Sequence, residues 1–65
     1  MYNVCVVIES YLKKSFEVIV TFYTIEECKY YLTDCYDDPN DPNKYIILSD
    51  EQLEFEKSKG HKIIR

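Results

Sequence analysis

The chain has no alanine, one glycine, one arginine and one histidine in 65 residues. A single glycine rules out a glycine-rich phosphate loop, which needs several positions of close backbone approach. The single histidine, His61, sits in a stretch with no acid from 57 to 65. No Ser-His-Asp or Cys-His arrangement can be argued for it, because a catalytic base must be held by a third group. It is expected to be an exposed tail residue. The longest uncharged apolar run, Val4 to Ile8, falls far short of the roughly 20 residues a membrane span needs. Residues 1–10 lack a basic leader region and Glu9 ends the run, so no signal peptide is expected.

Cysteine is also sparse. Three cysteines, an odd number with no C-x-x-C pair, suit a reducing compartment better than a disulfide scaffold. The expected location is therefore cytoplasmic. Cys5, Cys28, Cys35 and His61 form a nominal zinc set. Cys28 and Cys35, however, lie two turns apart on one predicted helix, about 10 Å between Cα atoms, and zinc sites use closer pairs. The cysteines read better as small buried hydrophobes, and neither a metal nor a cofactor is expected.

What is abundant is Ile, Lys, Tyr, Asn, Asp and Glu, residues favoured by AT-rich codons. A short free-standing chain of this kind points to a phage or mobile-element gene. Hydrophobic residues make up 46% and charged ones 31%, a globular composition. A chain this short forms one domain, spanning 1–65, that buries only about 60% of the surface exposed when unfolded. That leaves little material for a deep catalytic cleft, and a non-enzymatic role is expected.

Residues 2–12 and 16–23 read as two strands. Tyr2, Val4, Val6 and Ile8 alternate with Asn3, Cys5, Val7 and Glu9, and Phe16, Val18, Val20 and Phe22 alternate with Glu17, Ile19, Thr21 and Tyr23. A longer loop at Ser10–Ser15 is expected between them. Thr24-Ile25-Glu26-Glu27 has the form of a capping box, with the Thr24 hydroxyl on the Glu27 amide and the Glu27 carboxylate on the Thr24 amide. Ile25, Cys28, Leu32, Cys35 and Tyr36 then follow as one buried stripe. The helix should stop near Tyr36, because Asp38 precedes Pro39. Residues 37–43 contain Asp-Pro-Asn twice, which predicts successive turns. Together with Asp34, this loop fails the calcium-loop pattern, with Pro42 at a ligand position, no central glycine and no closing glutamate.

Tyr45–Leu48 reads as a third strand. Beyond it, Ser49 could cap a helix carrying Asp50 and Glu51 in its first turn. Leu53 and Phe55, though, are two apart, which puts them on one face of a strand and on different sides of a helix. Burial is taken to outweigh the cap, giving a turn at 49–52 and a fourth strand at 53–57. The predicted fold is α+β: ββαββ, a small antiparallel sheet of order 2-1-3-4 with one helix packed on one face. Its other face would carry Cys5, Val7 and Ile19 beside Asn3, Glu17 and Thr21, too apolar to lie open. A homodimer through that uncovered face, or cover from Ile63-Ile64, is the expected remedy.

Charge is unevenly placed. Residues 24–43 hold six acids against Lys29, a net of −5, whereas residues 57–65 hold Lys57, Lys59, Lys62 and Arg65 and read as a short basic tail. On the helix, Glu27, Tyr30 and Asp34 fall in a row opposite the buried stripe, with Glu26 beside it. Glu26, Glu27, Tyr30, Asp34, Asp37 and Asp38 are therefore the candidate partner-binding residues. The reading is a small acidic binding protein that docks on another protein, a host factor with a basic surface, and inhibits or modulates it. A nucleic-acid binder using tyrosines and the basic tail is the alternative, although a net charge of −4 argues against it. An accessory subunit or homodimer with no inhibitory role is a third reading. No motif is specific enough to tie the chain to a family.

Overall fold

The computed structural model describes residues 1–11 and 13–65. The chain runs β1 (Tyr2–Ser10), β2 (Lys13–Phe22), α1 (Ile25–Cys35), β3 (Tyr45–Ser49), α2 (Asp50–Ser58) and β4 (Lys62–Ile64). The four strands form one mixed sheet of order β3-β1-β2-β4. β1 is antiparallel to both β2 and β3, and β4 runs parallel to β2. β2, β3 and β4 therefore point the same way. The crossover through α1 passes over β1 on one face, and the crossover through α2 returns across the opposite face. Opposite directions on opposite faces give both crossovers one hand, as the bias for right-handed connections requires.

The expected hairpin, first helix and third strand are all present, with β3 beside β1 as anticipated. The reversal is tighter than expected, since Ser10 already pairs with Lys13. β1 ends at Ser10 with Tyr11 in the turn, short of the predicted end at residue 12, which itself lies outside the described residues.

Two differences matter. The first is that residues 50–58 are a helix and the fourth strand lies further on, at the opposite edge of the sheet. The sheet is thus mixed, and the order is not 2-1-3-4. Ser49 carries a complete capping box: its hydroxyl accepts from the Gln52 amide at 3.2 Å, and the Gln52 side chain accepts from the Ser49 amide at 2.8 Å. Asp50 and Glu51 complement the helix dipole at its start and Lys57 at its end. Gly60, at φ +91°, then reverses the chain, a conformation that favours glycine. Leu53 is 2% exposed and Phe55 60% exposed, so the pair never shared a face.

The second difference is a β-bulge. Val4 pairs with Val20 but Cys5 with Val18, which leaves Ile19 as an extra residue. The bulge shifts the pleat of β2. Ile19, Val20 and Phe22 pack with Val4, Cys28 and Leu32 beneath α1, whereas Phe16 and Val18 pack with Cys5, Leu48 and Leu53 beneath α2. Ile19 is thus on the α1 face, contrary to simple alternation. The face expected to lie open is covered by α2, with Ile63 of β4 packed beside Leu53. The motive for a homodimer through that face disappears. The basic segment is no free tail either, since Lys62–Ile64 pair with Ser15–Glu17.

The outer edge of β3 is largely closed. Bonds from Val7 N to Lys44 O (2.8 Å) and from Asp50 N to Met1 O (3.2 Å) set the phase of the β1–β3 ladder. The amides of Tyr45, Ile47 and Ser49 then face outward. Tyr45 donates to Asp41 O at 3.0 Å and Ser49 to Gln52 Oε1 at 2.8 Å. Of the three, only the Ile47 amide is left to template another strand.

Asn3 is fully buried under the start of α2, and both polar atoms of its side chain are hydrogen-bonded. Its Nδ2 donates to Leu48 O at 3.0 Å and to Asp50 Oδ1 at 2.9 Å, and its Oδ1 accepts from Thr21 Oγ1 at 2.8 Å. The Asn3 hydrogen bond, then the ammonium of Met1 at 3.5 Å, holds the Asp50 carboxyl below its ordinary range.

Candidate functional site

α1 is pinned by Cys28 and Leu32, which are buried against Val4. Beside them an aromatic run, Phe22–Tyr31–Tyr36–Tyr45, has ring centroids 5.8, 6.3 and 4.4 Å apart in succession. Tyr31 therefore joins the packed side, and burial, followed by its neighbours Tyr36 and Cys35, pushes its phenol above the ordinary value. The predicted stripe is corrected at two positions. Ile25, in the first turn, is 38% exposed, and Cys35, in the last turn, is exposed. The N-cap also differs in detail. The Thr24 hydroxyl accepts from the Glu27 amide at 3.2 Å, but the Glu27 carboxylate takes a hydrogen bond from that same hydroxyl at 3.1 Å and does not bind the Thr24 amide.

This anchoring turns the candidate row outward. Tyr30 is 73% exposed, and Glu26, Glu27 and Asp34 are exposed around it. Glu26, Tyr30 and Asp34 line one shallow depression of about 460 Å³ that also includes Lys29 and Thr33. Asp37 and Asp38 lie beyond the helix in the loop and do not line it. Asp38 is committed to Lys44, whose ammonium lies 3.1 Å away and is stabilised in its charged form by that contact. Asp41 folds the loop: its side chain accepts from the Asn43 amide at 2.9 Å and its carbonyl from the amides of Lys44 and Tyr45, each at 3.0 Å.

Elsewhere the chemistry is structural. Cys5 and Cys28 pack on opposite faces of the sheet, so they cannot share one ion. Burial raises both thiols, Cys5 to about 11, which keeps them protonated and unreactive. Among the described residues, no group of three or more His, Cys, Asp and Glu side chains converges to hold a metal. His61 is held, contrary to expectation: its Nδ1 lies 2.6 Å from Glu56 Oε2, and its ring packs 5.9 Å from Phe16. The contact is made across the reversal at Gly60, by the acid that immediately precedes the acid-free stretch 57–65. His61 lines an open cleft with Lys57, Lys62 and Arg65.

Tyr2, Tyr31, Tyr36 and Tyr45 are packed against the α1-side core. The remaining tyrosines, Tyr11 in the β1–β2 turn, Tyr23 in the β2–α1 link and Tyr30 on α1, are 98, 78 and 73% exposed and form no stacking platform. Among the described residues, no helix is long and apolar enough to cross a membrane. No protein-family profile matches the chain, and no curated protein or solved structure is significantly similar to it.

Proposed function

We propose that the chain is a non-catalytic binding domain that docks through the outer face of α1 on a basic surface of another protein and modulates that protein. The observation that carries this reading is Tyr30, 73% exposed in a depression it shares with Glu26, Asp34 and Lys29, with Glu27 exposed one turn before it. A tyrosine offers a large contact area at small entropic cost, and surrounding carboxylates steer a cationic partner toward it. The codon signature of the composition agrees with a mobile-element product acting on a host factor. Against a nucleic-acid target count the net charge of −4 and the dispersal of the exposed tyrosines.

The test is paired capture from a cell lysate, using the intact chain and a Tyr30→Ala, Glu27→Lys variant as baits, with mass spectrometry as the readout. Both positions are exposed, and the variant is expected to lose the partner. Because Glu27→Lys also removes the acceptor of the Thr24 hydroxyl at the start of α1, far-UV circular dichroism of the variant checks that the helix is kept. Equal capture by the two baits would remove α1 as the docking face.

A further inference from the structure

Four exposed apolar side chains, Met1, Tyr23, Ile25 and Phe55, gather toward one end of the molecule, while Ile8 and Tyr11 are exposed toward the other. β2 and β3 are parallel, so both helices begin at the same end of the sheet, where β1 also starts. Tyr23 and Ile25 lie there at 78 and 38% exposed, with Met1 at 52%, and Phe55 follows in α2 at 60%. Tyr2, Ile25 and Phe55 line one open depression of about 550 Å³, whose polar wall is Ser49, Glu51 and Gln52. The Lys59 ammonium covers one face of the Phe55 ring at 4.4 Å from its centroid. A mid-helix phenylalanine and a first-turn isoleucine, contiguous and both accessible, are the anchoring chemistry of a binding surface.

The charge around this depression selects its occupant. The first turn of α1 carries Glu26 and Glu27, and that of α2 carries Asp50 and Glu51. Each helix start contributes only about half a positive charge, and the Met1 ammonium is held by Asp50. The Lys59 ammonium over Phe55 is paired with Glu56 at 3.7 Å, so the rim keeps a net negative charge, with Glu51 lining the depression itself. It attracts cationic segments and repels acidic ones, and a second copy meeting it by its own like end would oppose carboxylate to carboxylate.

We propose that this depression is an anchor pocket for a basic protein segment that inserts one apolar side chain flanked by lysine or arginine. The inference rests on the proposed docking on a basic partner and adds the part of the surface that confers selectivity. The acidic first turn of α1 belongs to both surfaces, so a basic partner can span them. Charge alone would bind any polycation; the apolar floor distinguishes a segment with an anchor from one without.

The probes are two short lysine-rich peptides, one with a central leucine and one with serine in its place. Amide chemical shifts of the isotope-labelled full chain are followed at low salt. The leucine peptide is expected to shift Tyr2, Ile25, Glu51, Gln52 and Phe55 and to bind roughly tenfold tighter than the serine peptide, as burial of one aliphatic side chain implies. Ile25→Ser with Phe55→Ser should abolish that difference while weaker, charge-driven binding persists, and the same spectra report whether this variant is folded. Equal binding of the two peptides, or no shifts with either, overturns the proposal. Shifts confined to Tyr30 and Asp34 without leucine preference would sink the anchor pocket and leave the α1 face standing. Leucine-dependent shifts at the depression with Tyr30 and Asp34 silent would do the reverse.

Discussion

Leu53→Ala is expected to cost about 3 kcal/mol of stability, whereas Phe55→Ala, two residues along, should change it by less than about 1 kcal/mol. The contrast follows from helix geometry. Leu53 is 2% exposed and fills the core formed by Cys5, Phe16 and Leu48, with Val7, Val18, Ile46 and Ile63 packed around it. Removing its isobutyl group opens a cavity that a sheet pinned on both faces cannot close. Phe55 loses little besides its contact with Lys59. Had residues 53–57 been a strand, the two side chains would share a face and the two substitutions would cost similar amounts. A chain of this size has only roughly 3–10 kcal/mol in total, so Leu53→Ala should leave a substantial unfolded population. Urea titration followed by far-UV circular dichroism reads both effects, and similar midpoint shifts for the two variants would contradict the placement of α2.

Asn3→Ala is expected to be comparably damaging, at about 3 kcal/mol, although it removes a polar side chain. The Thr21 hydroxyl would lose its partner, the Leu48 carbonyl would keep only its ladder bond from the Asn3 amide, and the space left by the fully buried side chain adds a cavity cost. The variant also has a pH signature. In the intact chain the Asp50 carboxyl is held low, first by Asn3. A carboxyl whose folded pKa is depressed contributes stability that is fully present above its unfolded value, about 3.9. That contribution is lost as pH falls through the lower folded value. Without Asn3 the depression shrinks. The gap in stability between the intact chain and Asn3→Ala should therefore narrow as pH falls from neutral through the acid range below about 3.9. A gap that stayed constant across that range would show that Asn3 and Asp50 are not coupled.

These two residues also mark where local sequence signals end. The hairpin, α1 and β3 were legible because each carries its own periodicity or cap, and Tyr30 could be placed outward by angle once Cys28 and Leu32 were taken as buried. α2 was not, because Leu53 and Phe55 alternate like a strand. Two other clues pointed the right way: the Ser49 cap and the unsatisfied apolar face that Leu53 turns out to cover. The bulge at Ile19 leaves no trace in an unbroken β-branched run, so half of β2 was assigned to the wrong face. Asn3 reads in the sequence as a polar residue on the face without a helix, and its burial follows only from α2 lying over that face. The depression between Ile25 and Phe55 is created by topology, since only parallel β2 and β3 bring the starts of both helices to one end. The Glu56–His61 contact likewise depends on the turn at Gly60, which residue types alone do not reveal.

The most direct test of the central claim, that the acidic face of α1 is where the protein meets its partner, is an amide hydrogen-exchange footprint of the complex with the captured protein. Relative to the free chain, added protection is predicted over residues 25–34 and at the adjoining start of α2, with residues 57–65 and the β1–β2 turn unchanged. Protection confined to residues 57–65, around Lys57, His61, Lys62 and Arg65, would place the contact on the basic edge and contradict the account.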